Sequence, residues 1–241
     1  MKSNNAKYAV SALVAALALA GYAGLAQSGP VTDTMLSGDA GESWLHTNGN
    51  YGGHRYSSLT SLNSGNAKDL KVAWTFSPGG KTDAQATPSY HDGMVFFPQD
   101  NKVFALDGST GRVVWKYEHK LPDDWGGYNV PFFTGKHRGV ALYGDSVYFL
   151  SNDAKLHAID MKTGKAAWTF ATRARVDSSP IVAGNRLYIG GNDGKLYVLD
   201  AATGKSVFEF EAGGPLSASP AIADGRVVIG SQDGKLFCLG A

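Results

Sequence analysis

Ala105-Leu-Asp-Gly-Ser-Thr-Gly-Arg-Val-Val-Trp115 occurs again as Ala158-Ile-Asp-Met-Lys-Thr-Gly-Lys-Ala-Ala-Trp168. A third copy, Val198-Leu-Asp-Ala-Ala-Thr-Gly-Lys-Ser-Val-Phe208, carries Phe where the others have Trp. In all three, Asp precedes Gly by four residues and Gly precedes the aromatic by four. A short carboxylate bonds backbone amides ahead of it, and Gly takes the left-handed position, so the stretch reads as a turn leading into a strand.

Working outward, each copy sits in a unit with four strand signals. In the third unit they cover 178–182, 186–190, 195–200 and 206–211. Gly184-Asn185 joins the first two and Asn192 to Gly194 the next two, pairs that supply the positive φ of tight hairpins. Lys195-Leu-Tyr-Val-Leu199 is apolar on both faces, as expected for a strand between packed sheets. Asp153, Asp193 and Asp233 lie 40 residues apart, as do Trp168 and Phe208, while Trp74 and Trp115 are 41 apart. Trp115 to Trp168 is 53, so that unit holds about 13 extra residues. Four-stranded units with a period of about 40–45 residues predict an all-β chain, a β-propeller of four blades.

The fourth unit has strand signals at 218–222, 226–230 and 235–239 and no fourth. Lys71-Val-Ala-Trp-Thr-Phe76 has the form of an outer strand, with Trp74 in the aromatic slot, and no blade precedes it. Two arrangements follow. Strand 71–76 completes the last blade and closes a ring of four, or an open four-blade arc pairs with a second copy as an eight-blade dimer. Either removes exposed strand edges, and monomer and homodimer both stay open.

Lys2 and Lys7 precede an apolar run over 8–20, and Gly24-Leu-Ala26 fits a cleavage site before Gln27. Residues 1–26 therefore read as a signal peptide, which predicts a periplasmic or secreted protein. The run is shorter than the ~20 residues a membrane span needs. Residues 27–70 read as a leader and N-terminal loop, flexible and polar over 27–43, and 71–241 as the repeats. The net charge is +1, and removing two lysines with the signal leaves 20 cations against 21 anions, or −1. No basic run suggests nucleic acid. The single Cys238 excludes an intrachain disulfide, and no haem-attachment or zinc motif occurs. A buried strand position is expected for it.

At these residues the chain resembles the pyrroloquinoline quinone (PQQ) dehydrogenases, whose tryptophan-docking motif has the form Ala-x-Asp-x-x-Thr-Gly-x-x-x-Trp. Over 44–170 it is similar to the quinoprotein methanol and ethanol dehydrogenases: Trp44, Arg55-Tyr-Ser57, Leu62-Asn63, Ala73-Trp74, His119-Lys-Leu-Pro-Asp-Asp124 and Arg138-Gly-Val-Ala-Leu-Tyr-Gly-Asp145. Over 176–239 it looks more like the propeller lipoprotein of outer-membrane assembly. The motif implies the fold and serves enzyme and scaffold alike.

Propeller ligands bind at the channel mouth. Aligned by their first turns, the blades place Gln85, His137, Asp177 and Ser217 in one ring, with Ala86, Arg138, Ser178 and Ala218 in the next. Arg138 and His137 suit a planar anion or o-quinone, because a guanidinium fork matches such groups. The resemblance implies that Arg138 contacts PQQ and that Gln85 stands where a Glu is expected. The candidate cofactor-binding set is thus Arg138, Gln85, His137, Asp177 and Trp125, with PQQ and calcium as the cofactors the family implies. No catalytic or metal-binding residue is assigned. Against an enzyme, Trp125-Gly-Gly-Tyr128 replaces the vicinal Cys pair the enzymes carry, and Gly190-Gly-Asn-Asp-Gly194 lacks their calcium-binding Glu. The insertion over 121–137 is either a lid on its own blade or a surface on which Trp125, Tyr128, Phe132 and Phe133 meet a ligand or partner. Asp153, Asp193 and Asp233 read as hairpin-turn residues. Two functions remain: a periplasmic binding or scaffolding propeller with a protein partner or small ligand, or a PQQ-dependent alcohol dehydrogenase, shortened or part of an assembly.

Overall fold

The computed structural model describes residues 29–39, 41–79, 86–124 and 139–240. The stretch 1–26, read above as a signal peptide, and most of the insertion lie outside them. Fifteen strands form four antiparallel sheets among the described residues, each a meander. The first blade is β1 (Ser89–His91), β2 (Met94–Gln99), β3 (Lys102–Asp107) and β4 (Val113–Glu118). The second is β5 (Ala141–Tyr143), β6 (Ser146–Leu150), β7 (Lys155–Asp160) and β8 (Ala166–Ala171). The third is β9 (Ile181–Ala183), β10 (Arg186–Gly190), β11 (Lys195–Asp200) and β12 (Ser206–Glu211). The fourth has β13 (Ala221–Ala223), β14 (Arg226–Gly230) and β15 (Leu236–Gly240). The chain is a β-propeller array.

Three strands of the third blade fall where the turns predicted. The inner strands start later, after Pro180 and Pro220, which cannot donate to a ladder. Pro88 precedes β1 in the same way. The Gly184-Asn185 turn has φ of +55° and +59°, the left-handed pair a two-residue hairpin needs. β11 has four buried residues between its two half-buried ends, as its two-faced apolar pattern implied.

Apolar clusters lie between blades rather than within them. Phe96, Val103 and Trp115 meet Val147, Phe149 and Ile159 between the first two blades. Leu156 meets Leu187, Ile189 and Leu199 at the next seam, and Leu196 meets Leu216 and Ile229 at the last. The first two of these seams are locked by the repeated stretch. Asp107, Asp160 and Asp200 accept amide bonds from Thr110 (2.8 Å), Thr163 (2.7 Å) and Thr203 (3.0 Å). The indole of Trp115 donates to the Met161 carbonyl of the next blade at 2.9 Å, and Trp168 donates to Ala201 at 3.1 Å. A β-bulge falls beside each docking aromatic, between Ala105 and Leu106, Ala158 and Ile159, and Val198 and Leu199. The added local twist turns Trp115 and Trp168 toward the next blade, while Phe208 stays half exposed at 52%.

Residues 71–76 differ from expectation. They carry no ladder, and β15 pairs with β14 alone among the described residues. Ring closure by this strand is therefore not present in the structure. Its docking role is present: Trp74 donates to the Gly108 carbonyl at 3.0 Å, and Phe76 meets Phe104 edge-on with centroids 5.1 Å apart. These contacts hold 74–76 against the first blade as an outer strand would lie. Cys238 is exposed in β15, not buried. Its counterpart Val198 lies on the strand face it shares with Leu196, which meets Leu216 and Ile229 of the fourth blade; no further sheet covers the Cys238 face among the described residues.

The segment read as a flexible leader is packed. Thr32 caps a short helix, α1 (Asp33–Ser37), and Val31, Leu36 and Leu45 are each 2% exposed within the first apolar cluster. Their spacing follows neither a helical nor a strand period, so no sequence pattern announces their burial.

Candidate functional site

The innermost strands β1, β5 and β9 face the propeller axis, and residues 29–51 cross all three. Trp44 exchanges two backbone bonds with Tyr90, at 2.8 and 2.9 Å, and Val31 does the same with Gly144. Asp33 accepts from the Tyr143 hydroxyl at 3.0 Å and from the Gly184 amide at 2.9 Å. The Tyr51 hydroxyl donates to the Val182 carbonyl at 2.9 Å and accepts from its amide at 3.1 Å. Burial pushes that phenol up to about 12, with the Val182 bond opposing the shift. His91 completes the strap, its Nδ1 2.9 Å from Ser43 Oγ and its Nε2 2.9 Å from the Gly29 carbonyl. A cavity of about 40 Å³ remains between Leu36, Leu45, Tyr51, Leu142 and Pro180. That is room for a water molecule, not for a tricyclic quinone.

Of the candidate cofactor residues, only Asp177 is described; Gln85, Trp125, His137 and Arg138 lie outside the described residues. Asp177 Oδ2 accepts from Arg175 at 2.7 Å and from the Asn192 amide nitrogen at 2.9 Å. The bridge ties the connection between β8 and β9 to the β10–β11 hairpin. Ser178, placed in the second ring, turns inward: its hydroxyl donates to the Gly190 carbonyl at 2.9 Å and accepts from the Gly190 amide at 3.0 Å. Ser217 is half-buried, while Ala218 is exposed. Calcium takes about six to eight oxygens. Asp177 offers one carboxylate with Oδ2 already engaged, and no group of three or more His, Cys, Asp or Glu is placed to hold a metal among the described residues. Asp177 by itself therefore does not make a calcium site, and the other four candidates lie outside the described residues.

The hairpin aspartates act as the turns suggested. Asp233 accepts from Ser231 and from Lys235, and Asp193 from the Lys195 amide. Asp153 does more. It accepts from Ser151 at 2.5 Å, Lys155 at 2.8 Å and His119 at 2.9 Å. His157 Nε2 is 3.0 Å from Ser151 Oγ, a Ser–His contact on its face suited to nucleophilic catalysis. It is not one. Ser151 is 6% exposed and gives its proton to Asp153, so His157 must donate to it rather than accept. Sequence reading missed this cluster and the axial strap. One signal was available for the first: His157 stands where the other blades have Phe104, Tyr197 and Phe237.

The chain matches two family profiles, the glucose/ethanol/alcohol dehydrogenase β-propeller domain over residues 44–180 and the outer membrane protein assembly factor BamB over 123–241. The first match spans more than half of the chain. The chain belongs to the PQQ-type alcohol dehydrogenase β-propeller family. Within this family it is 39% identical over 166 residues to the quinoprotein alcohol dehydrogenase PedH of Pseudomonas putida, covering 67% of this chain and 27% of the relative. It is 38% identical over 117 residues to the 1-butanol dehydrogenase (quinone) of Thauera butanivorans, covering 47% and 18%. The chain thus spans about a quarter or less of these relatives. Its fold is similar to that of the quinohemoprotein alcohol dehydrogenase from Comamonas testosteroni, with a TM-score of 0.68 and 24% identity over 78% of this chain and 35% of that one. No helix among the described residues is long and apolar enough to cross a membrane.

Proposed function

We propose that the chain is an exported, periplasmic or secreted, binding or scaffolding propeller descended from quinoprotein alcohol dehydrogenases. The observation that carries this reading is the strap: the chain's own residues 29–51 lie across the inner strands of three blades. A rigid array of blades presents its loops at fixed positions, which suits a protein partner or a small ligand at the rim. The engagement of Asp177 with Arg175 and Asn192 supports it, since that carboxylate is spent on holding a connection in place.

The test is to mix the purified protein with PQQ and calcium, desalt it, and record the quinone absorbance and alcohol-dependent dye reduction. Neither signal is expected. A quinone band that survives desalting overturns the reading, and its loss in Arg138→Ala would place the quinone at the channel mouth.

The 39% identity to PedH favours a second reading, a PQQ-dependent alcohol dehydrogenase that is shortened or part of an assembly. Under it, Arg138, Gln85, His137, Asp177 and Trp125 hold the quinone, and the same absorbance experiment gives a retained band.

A further inference from the structure

At each seam an aromatic two residues beyond the docking position packs on the third strand of the next blade. Phe76 meets Phe104 at 5.1 Å between centroids, Phe170 meets Tyr197 at 5.3 Å, and Phe210 meets Phe237 at 5.2 Å. Between the first and second blades the pair is Tyr117 and His157, at 5.6 Å. Here alone among the described seams an imidazole fills the slot.

The surroundings fix its protonation. Ser151 Oγ donates to Asp153, so His157 Nε2 carries the hydrogen and donates to Ser151. Nδ1 is then the acceptor, and two hydroxyls converge on it: Tyr117 of β4 at 3.0 Å and Thr169 of β8 at 3.1 Å. Phe149 of β6 stacks on the ring, which is 1% exposed. The titratable and charged groups facing it are His119, whose ring centroid is 4.6 Å away, Lys155, and Asp153. Asp153 is already held by His119 and Lys155. A proton on Nδ1 would oblige the two hydroxyls to turn from donating to accepting, with room for one of them to take the new hydrogen, beside the Lys155 cation and the His119 imidazole in a site closed to water.

We propose that this seam is an acid-sensitive latch: uptake of one proton by His157 loosens β4 from the second blade while the other seams stay shut. His119 joins the same latch. Its amide donates to the Asn101 carbonyl at 2.9 Å and its ring to Asp153, so the chain leaving β4 is pinned to both blades there.

Burial first, and the nearby His119 second, hold His157 down at about 4 from 6.5. The folded state therefore binds fewer protons than the unfolded chain between those values. Stability is full above pH 6.5 and falls as the pH drops toward 4. The limit for this one group is a change on the order of 10²-fold in the unfolding constant.

The decisive variant is His157→Phe, which installs the residue the first and fourth blades already use. Urea unfolding of the full chain from pH 7 to 4 is expected to weaken steeply in the unaltered protein and far less in H157F. Hydrogen exchange, corrected for intrinsic rates, should show 113–119 and 155–160 deprotected at pH 4.5 while 206–211 and 226–230 stay protected. Parallel acid weakening in both proteins overturns the latch. An NMR titration of the unaltered chain, independent of whether H157F folds, overturns it if the His157 ring titrates near 6.5.

Discussion

Trp115 lies flat on Gly164. A Cβ built on that glycine would stand 2.7 Å from the indole, and the glycine's φ is +71°. The Thr-Gly of the repeated stretch is thus the seat on which the preceding blade's tryptophan rests, and one residue meets two demands, a left-handed backbone and a bare surface.

Gly164→Ala should therefore cost about 3 kcal/mol, from left-handed strain of ~1–2 kcal/mol plus overpacking. Gly184→Ala is the control: its φ is +55° but nothing lies within 4 Å of the added carbon, so about 1 kcal/mol is expected. Urea denaturation of the two variants separates the close approach from the turn.

Tyr51→Phe removes the hydroxyl that serves both the amide and the carbonyl of Val182, itself fully buried. Leaving two backbone groups unpaired should cost about 1–3 kcal/mol. Faster exchange of the Val182 amide, with protection unchanged at the fourth blade, would show that the loss is local to the strap.

Asp107 is held down at about 2 by bonds from Ser109 and Thr110. Its folded value lies below its ordinary 3.8, so its contribution is present above pH 3.8 and lost as the pH falls through about 2. Asp107→Asn should flatten the unfolding midpoint between pH 4 and 2 and leave the range above 5 parallel to the unaltered protein. This range is separate from that of His157, so the two effects are resolved on one pH series.

Cys238 is exposed in the folded protein. A thiol reagent should label it to one equivalent without denaturant, at the same rate with and without urea below the transition. Labelling that waits for unfolding would contradict the structure.

The strands were legible because their turns are. Asp-x-x-Thr-Gly, Gly-Asn and Asn-Asp-Gly each demand a specific backbone shape, and strands β10, β11 and β12 fall between them residue for residue. The strap was not legible. Val31, Leu36 and Leu45 are single apolar residues in polar surroundings, and their partners lie on the first two blades, far along the chain. The candidate ring was a product of aligning first turns, which locates backbone but not side-chain direction. Ser178 shows the limit: it was placed at the channel and instead closes on Gly190 of its own blade. His119 and His157 are 38 residues apart, and only the stacking of blades brings their rings together.

The strap also sets an order of events. Asp33 bonds to Gly184, 151 residues away, and Tyr51 to Val182, 131 residues away. Blades are built from neighbours in sequence and form as the chain emerges from its N-terminus, whereas contacts of such long reach come late. A segment made before the blades that receive it is thus among the last to settle. Until the third hairpin array exists to receive it, it remains available to whatever handles the nascent chain, and its docking reports that three blades have assembled in register.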